Sequence, residues 1–372
     1  MKSYFKLFSC CIPVRGYLRS VLYDLQRKNY LFIPNLLFDI LNDSSNKTIF
    51  EVLQMIDEDE REQVEKYFSY LIENEFIFLC SKENLECFPP LDLSWESSAE
   101  VDSIIIDIGK QSDYNFKNII SDISKIRPKV IQIRIFTKKS KIEVADIVNA
   151  FSNVDTRSLE IILPLNEDLD IDSIKKIIDE NRKIVSIVIT DYANGGLSDY
   201  KHAKICFTQN KINSESDCGV IDKAYFICDL NTFSESHNFN TCLNQKISID
   251  INGNIKNCPS CKQSFGNIKD TSLLQALKNS SFKKLWSITK AQIDVCKDCE
   301  FKYLCTDCRA HIKDTENIYS QPANCCYNPY IAKWKGEEGY VPVEECGSYS
   351  TKTGFIINKE KIEALHLKLW GF

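Results

Sequence analysis

The stretch Cys242-Leu-Asn-Gln-Lys-Ile-Ser-Ile-Asp-Ile-Asn-Gly-Asn-Ile-Lys-Asn-Cys258-Pro-Ser-Cys261 opens the part of the chain that decides the fold. Two more C-x-x-C pairs and an adjacent cysteine doublet follow it: Cys296 with Cys299, Cys305 with Cys308, and Cys325 with Cys326. Two intervening residues allow a tight turn that places both sulfur atoms beside one metal centre. This density of paired cysteines predicts a metal-binding domain and not a set of buried free thiols.

A hairpin is predicted inside the quoted stretch. Ile247 to Ile255 alternates apolar and polar residues around Asn252-Gly253. Asn and Gly both accept the positive φ angles of a tight hairpin, so the pattern predicts a two-residue turn. Folding the chain back at this turn would bring Cys258 towards Cys242.

These cysteines resemble the SPASM domain, which extends many peptide-modifying radical SAM enzymes and binds auxiliary iron–sulfur clusters. The pattern that matches is Cys242, Gly253 and Cys258, then Cys296-x2-Cys299-x5-Cys305 and a later cysteine. The amino-acid sequence of these segments most resembles the SPASM-domain peptide maturases of grasp-with-spasm systems. Those systems pair such a protein with an ATP-grasp ligase and a ribosomally made precursor peptide. One departure is that two residues separate Cys305 from Cys308, where the family usually has three.

The resemblance implies two [4Fe–4S] clusters. One would be held by Cys296, Cys299, Cys305 and Cys325, and the other by Cys242, Cys258, Cys261 and Cys308. Cys325 is favoured over Cys326 because the family cysteine stands two residues before a Tyr-x-Pro, as Cys325 does here. Spacing alone also allows two zinc ions, each closed by four thiolates.

Length and composition limit the remaining possibilities. A chain of 372 residues predicts two or three domains. Its formal net charge of −6 disfavours a general nucleic-acid binder. The grouping of its 17 cysteines into C-x-x-C pairs indicates reduced thiols in a cytosol, and no apolar run has the length of a membrane span. We therefore expect a cytoplasmic protein without nucleic-acid or membrane partners.

Residues 1–92 are predicted to form a winged-helix-like domain that recognises the precursor peptide. Three β-prone runs are predicted, at Tyr4 to Phe8, Tyr17 to Tyr23 and Tyr30 to Ile33. Helices are predicted near 35–42, 47–56 and 60–73, and residues 76–80 with 85–88 predict a wing hairpin. This order resembles the small winged-helix domains that capture leader segments of precursor peptides. Such domains add the peptide as an extra strand beside a helix.

The same resemblance implies which residues of this domain bind the peptide. They are Tyr30 and Phe32 on the third run, with Phe68 and Leu71 on the third helix. A plain α+β packing module and a DNA-binding winged helix are the alternatives. The acidic run Asp57-Glu-Asp-Glu60 at the start of the third helix counts against DNA.

Residues 100–235 are predicted to form repeated βα units. Strands near 103–108, 130–136, 159–163 and 184–190 are dense in Ile and Val, helices are predicted at 115–127, 141–151 and 169–180, and shorter strands at 204–207 and 224–228. The position resembles the partial TIM-like barrel of radical SAM enzymes, in a reduced form.

The cysteines of that barrel depart from the family. Radical SAM enzymes carry C-x3-C-x2-C after the first barrel strand, and residues 109–117 contain no cysteine. SAM-binding residues are therefore not expected. Three further cysteines lie where extra cluster ligands sometimes occur in the family, but they are interpreted as buried thiols: Cys206, Cys218 and Cys228.

The predicted fold class is α/β plus α+β. The SPASM-like cluster domain is placed at 240–346, and a strand and helix at 347–372, capped by Asn358, are expected to dock on the body. The expected function is a cluster-containing maturation protein that binds a precursor peptide and acts with an ATP-grasp ligase, without cleaving SAM. The alternative is a zinc-stapled adaptor that presents a peptide and catalyses nothing.

Overall fold

The computed structural model of the protein describes residues 3–44, 46–350 and 353–371. The strands in these ranges are β1 (Tyr4–Leu7), β2 (Cys11–Val14), β3 (Ser20–Asp24), β4 (Asn29–Ile33), β5 (Ile77–Cys80), β6 (Ser103–Ile108), β7 (Val130–Ile135), β8 (Ser158–Pro164), β9 (Ile184–Thr190), β10 (Gly196–Tyr200), β11 (Ala203–Phe207), β12 (Lys246–Ile249), β13 (Ile255–Lys256), β14 (Tyr327–Asn328), β15 (Lys333–Trp334), β16 (Gly347–Ser350) and β17 (Gly354–Ile357). The helices are α1 (Asn35–Asp43), α2 (Ile49–Met55), α3 (Arg61–Glu73), α4 (Phe116–Ile126), α5 (Lys141–Ala150), α6 (Ile171–Glu180), α7 (Leu230–Asn238), α8 (Leu273–Leu277) and α9 (Lys359–Trp370).

The centre of the molecule is an eight-stranded, mostly parallel sheet in the order β10-β11-β9-β8-β7-β6-β12-β13. Strands β6 to β9 run parallel in chain order, and helices α4 to α6 connect them. Their Ile and Leu side chains are buried against these helices, which confirms the mixed α/β prediction for this region. Helix α6 begins at the cap Asp170, whose carboxylate accepts a hydrogen bond from Ser173 N at 2.8 Å.

The N-terminal unit contains the predicted strands and helices, but the prediction of a wing hairpin is wrong. Strands β2, β3 and β4 form an antiparallel sheet, and α1 to α3 pack on one of its faces. Strand β5 pairs with β1 and not with the segment after it, because residues Lys82–Cys87 form a short 3-10 helix. The last two predicted elements therefore make no hairpin.

This N-terminal unit shares a hydrophobic core with the cysteine-rich region. Val21 and Tyr23 of β3 pack with Phe301, Tyr327 and Trp334. The hydroxyl of Tyr23 donates to the Glu300 carbonyl. The two ends of the chain are thereby held together by buried contacts.

Two local predictions between β11 and β13 are also wrong. Residues 224–228 form no strand, because a short 3-10 helix capped by Asp222 covers Lys223–Tyr225. The hairpin of β12 and β13 exists, but Ile249 pairs with Ile255, so five residues form its loop. The Asp250 carboxylate binds the N–H groups of Asn252 and Asn254, and this stabilises the longer turn.

The C-terminal tail docks as expected. Asn358 caps α9 by accepting a hydrogen bond from Lys361 N at 3.0 Å, and Ile362 is buried against the cysteine-rich region. Among the described residues, no helix is both long and apolar enough to cross a bilayer.

Candidate metal centre

The first two C-x-x-C pairs of the region are closed turns. Cys261 N donates to the Cys258 carbonyl at 2.9 Å, and Cys299 N donates to the Cys296 carbonyl at 3.0 Å. Across the described residues no such bond closes Cys308 onto Cys305. The third pair is therefore free to send its two sulfur atoms in different directions, as the interleaved ligand sets require.

A first cysteine group, defined as Cys218, Cys242, Cys258 and Cys308, lines one cavity of about 330 Å³. Strand β12 and its hairpin bring Cys258 back to Cys242, as the sequence predicted. Burial and the neighbouring charges of Cys258 and Cys308 raise the pKa of the Cys242 thiol to about 12. Thiols packed this closely become thiolates when a metal replaces their protons.

Cys218 is the member of this group that the sequence did not select. It was interpreted as a buried thiol, but it is exposed on the loop that follows β11. Gly219 has a φ of 84°, and a Cβ there would meet Cys308 Sγ at 3.2 Å. Only glycine fits this close approach, and no pattern in the sequence around Cys218 predicts it.

Cys261, the predicted fourth ligand, lies behind the same group. It is buried and hydrogen-bonds with Cys258. That bond, with Lys246 and Arg134 adding positive charge nearby, lowers the pKa of Cys258 to about 5, and the same bond raises the pKa of Cys261. Cys261 is thus in direct contact with one of the four thiols that line the cavity.

A second cysteine group consists of Cys296, Cys299, Cys305 and Cys325. Burial raises the pKa of Cys296 to about 12, and the charges of Cys325 and Cys305 add to this effect. Burial raises the pKa of Cys325, and the charge of Cys305 adds to this effect. The Cys326 Sγ lies 3.8 Å from the Asn324 carbonyl oxygen. The assignment of Cys325 as the fourth ligand of this group remains a prediction.

A lysine lies beside each group, and Lys290 is buried whereas Lys246 is half-buried. Lys290 Nζ donates to Cys305 Sγ at 3.0 Å and is 5% exposed, and Lys246 Nζ lies 3.8 Å from Cys242 Sγ. Burial alone would lower the pKa of Lys290, but the charges of Cys305 and Cys296 hold it above the ordinary value. No carboxylate of the described residues lies within ion-pair distance of Lys290, and the negative charges that favour its ammonium are those of Cys305 and Cys296, followed by Asp307.

The distances between the thiol sulfurs distinguish a zinc site from an iron–sulfur cluster site. Four sulfurs bound to zinc at about 2.3 Å lie roughly 3.8 Å from one another. In the described part of the chain, no three thiols of either group lie all within 4.8 Å of one another. A cubane cluster holds its thiolates farther apart because four irons and four sulfides stand between them. The donor set therefore fits iron–sulfur clusters better than closed zinc sites.

Two buried donors also remain without partners at the first cysteine group. They are His311 Nε2 and Arg309 Nε, and both residues line the cavity. A buried N–H without an acceptor is costly, and sulfide and thiolate sulfurs of a cluster are acceptors. His311 N already donates to Cys308 Sγ at 3.4 Å.

The loop after β6, where radical SAM enzymes hold their cluster, is held in place by side-chain hydrogen bonds. Ser112 Oγ donates to the Ile251 carbonyl at 2.8 Å, and the Tyr114 hydroxyl lies 2.6 Å from the Asp107 carbonyl oxygen. Beneath them Arg134 binds Asp107 through two contacts of 2.6 and 2.7 Å. Burial raises the pKa of Asp107 to about 6, although Arg134 opposes this shift.

The predicted peptide-binding residues occupy two different environments. Phe68 and Leu71 are 2% and 1% exposed, so they belong to the core beneath the sheet and offer no surface to a peptide. Phe32 is 41% exposed, and the Arg19 guanidinium lies 3.6 Å from its ring centre. Phe32 and Tyr30 both make edge contacts with Phe301. In the described ranges β4 pairs only with β3, so its other edge is unpaired.

Comparison with known protein families supports an iron–sulfur assignment for the cysteine-rich region. Residues 241–300 match the model of the SPASM family, an iron–sulfur cluster-binding domain. A crystal structure of SuiB from Streptococcus suis bound to S-adenosylmethionine aligns over 86% of this chain and 98% of its own, with 10% identity and a TM-score of 0.29. A TM-score this low establishes no common fold. No curated protein matches the sequence.

Proposed function

We propose that the protein is an iron–sulfur SPASM-domain protein that takes part in the maturation of a ribosomally made peptide. In this role it holds two [4Fe–4S] clusters, binds the precursor peptide through residues 1–92 and acts with an ATP-grasp ligase. The peptide and the ligase rest on the resemblance to grasp-with-spasm systems. The observation that carries the cluster assignment is the pair of cysteine groups, spaced too widely for zinc, with the buried Lys290 ammonium against one of them.

The ligands are assigned in two sets. Cys296, Cys299, Cys305 and Cys325 hold one cluster. Cys242, Cys258 and Cys308 hold the other with Cys261 as the predicted fourth ligand, and Cys218 competes for that place because it lines the cavity. Such clusters supply one-electron transfer when bound. Lys290 and Lys246 balance part of the negative charge that this ligation brings into the interior.

The precursor is proposed to bind at the free edge of β4. An extended segment added there would use the backbone groups of residues 29–33 and the exposed ring of Phe32. It would also pass close to Phe301, which is two residues from Cys299. The peptide would thus lie near the second cysteine group.

SAM cleavage is not part of the proposed activity. That chemistry needs a cluster with one iron not ligated by protein, and residues 109–117 offer no thiolate for it. Ser112 and Tyr114 anchor this loop to Asp107 and to the loop between β12 and β13. The zinc-stapled adaptor remains the competing assignment, and the wide thiol spacing argues against it.

Iron content tests the proposal directly. Protein purified without oxygen is expected to hold about eight irons and eight sulfides per chain, as two cubanes require. Cys325→Ala should lose about half of the iron. Its neighbour supplies the matched control, since Cys326→Ala removes an adjacent thiol that the proposal does not assign as a ligand and should keep all of the iron.

Two results would contradict the assignment. One is stoichiometric zinc without iron in protein produced with ample iron. The other is equal iron loss in both variants, which would mean that Cys325 has no special part in ligation.

A further inference from the structure

Three potential metal ligands meet in the N-terminal unit, far from both cysteine groups in the sequence. The sulfurs of Cys10 and Cys11 and a carboxylate oxygen of Asp24 all lie within 4.8 Å of one another. Cys10 and Cys11 stand where the chain turns from β1 into β2, and Asp24 ends β3. In the described part of the chain this is the only group of three or more such side chains at that spacing.

The group is enclosed and polar. Cys11 is 3% exposed and Asp24 is 2% exposed, whereas Cys10 is half-buried and leaves an entry path. Three anions this close together would repel one another strongly in such a place. Burial and the charges of Cys10 and Asp24 accordingly raise the pKa of Cys11 far above its ordinary value.

The surroundings hold Asp24 in position without using all of its acceptor capacity. Its Oδ1 accepts the N–H groups of Gln26 and Arg27 at 3.1 and 2.8 Å, and its Oδ2 accepts from Arg27 Nε. A carboxylate can accept about four hydrogen bonds, so Oδ2 retains a lone pair. Backbone and guanidinium donors that orient a carboxylate in this way are typical of the support around metal ligands.

Charge and donor type point to one divalent ion. Two thiolates and a carboxylate carry three negative charges, Arg27 contributes one positive charge, and a divalent ion neutralises the remainder. Thiolate sulfur with carboxylate oxygen suits Zn²⁺ and disfavours Mg²⁺ or Ca²⁺, which select oxygen ligands only. The spacing is also close to the roughly 3.8 Å that zinc-bound sulfurs adopt.

We propose that Cys10, Cys11 and Asp24 form a zinc site separate from the two clusters. Gln26 stands next to it, since Cys10 Sγ lies 3.7 Å from Gln26 Oε1, and either this oxygen or a water completes four-coordination. The ion would join the β1–β2 turn to the turn that leads into β4. Loss of zinc would therefore loosen the strand that the proposed function assigns to the peptide.

Metal analysis of the full-length, cluster-loaded protein tests this site. Zinc and iron are measured together by mass spectrometry after incubation with Zn²⁺ and removal of the excess. We expect one zinc per chain in the wild type and none in Cys10→Ser/Cys11→Ser, with iron unchanged. The matched control is Cys80→Ser/Cys87→Ser, which removes two thiols of the same unit that are not in the group and should retain zinc.

Asp24→Asn provides a second variant if the double substitution fails to fold. An amide oxygen can still accept from Gln26 N and Arg27 N but ligates zinc poorly, so Zn²⁺ should bind at least ten times more weakly. Wild-type protein that takes up no zinc, or zinc retained in full by Cys10→Ser/Cys11→Ser and Asp24→Asn, overturns the proposal. So does a Cys10–Cys11 disulfide, seen as a loss of 2 Da in the unreduced protein.

These results are independent of the cluster assignment. Failure of the clusters would appear as missing iron in every variant. Failure of the zinc site would appear as equal zinc in the wild type and in Cys10→Ser/Cys11→Ser.

Discussion

At the scale of single residues, Lys290 carries the clearest electrostatic consequence. Its ammonium is buried, and its hydrogen-bond acceptor is Cys305 Sγ at 3.0 Å. A charge in the interior without an anion would be strongly destabilising. With the proposed cluster bound, the lysine would stabilise the more negative, reduced form more than the oxidised form.

Replacing Lys290 by methionine should lower the reduction potential of one cluster. The substitution removes the positive charge and keeps most of the volume, so the reduced state loses stabilisation on the order of 100 mV. A redox titration followed by electron paramagnetic resonance measures both clusters separately. Iron content serves as the check that the variant still binds both.

Lys297→Met is the matched control. Lys297 lies between Cys296 and Cys299, but it is solvent-accessible and pairs with Asp294 at 3.5 Å. Water screens its charge, so its removal should leave both potentials nearly unchanged. Equal shifts in the two variants would show that the buried contact has no special effect.

Which cysteines meet could be predicted from the sequence for most of the two groups. The closed turns at Cys258 and Cys296 follow from C-x-x-C spacing, which is a local property. The approach of Cys218 could not be predicted, because it depends on how the loop after β11 folds over Cys308. Contacts between distant segments leave no periodic signal in a single sequence.

At the scale of elements, β4 is the strand to which the proposed function assigns peptide binding. Leu31 and Ile33 face the helical side, whereas Tyr30 and Phe32 face Phe301. An incoming strand would therefore meet one aromatic side chain that is still partly open to solvent, Phe32. Its ring offers the largest apolar contact beside that edge.

Phe32→Ala should weaken binding of the leader segment to full-length protein about tenfold, or ~1.4 kcal/mol, as removal of an interface aromatic does. Calorimetry with a synthetic leader measures this change. Phe50→Ala is the control, since Phe50 is exposed on α2, away from β4, and should leave the affinity unaltered. Unaltered affinity in Phe32→Ala, with iron retained, would remove β4 from the proposal.

Elements with strong periodicity were the ones that the sequence predicted well. The buried strands β6 to β9 and the helices between them lie close to their expected positions. The two-residue turn failed because the Asp250 side chain binds backbone N–H groups and stabilises a longer loop. The wing failed because β5 found a partner in β1, more than seventy residues earlier, which local patterns do not reveal.

At the scale of the whole molecule, the loop after β6 contains no cysteine, while the cysteine-rich region contains the eight cysteines that the proposal assigns to two closed clusters. We expect the reduced protein, given SAM and dithionite, to make no 5′-deoxyadenosine above a protein-free control. A fully thiolate-ligated iron has no open position for SAM. Chromatography of the quenched reaction measures the product.

An active radical SAM enzyme under the same conditions confirms that the assay works. Product formed by this protein and lost in Cys242→Ala or Cys305→Ala would reveal an iron that the protein does not fully ligate. That result would contradict the proposal that the protein does not cleave SAM.

The buried contact between the two ends of the chain limits how this protein can be re-engineered or recombined. Gly16 lies so close to Glu300 that a Cβ would come within 2.8 Å of the Glu300 Cβ, and Arg19 Nε donates to the Glu300 carboxylate at 2.8 Å. Residues 1–92 are consequently not a portable module. A chimera that exchanges them for another recognition domain would have to bring matching partners for Phe301 and Glu300. A change of substrate range should therefore require compensating substitutions in both the N-terminal unit and the cysteine-rich region.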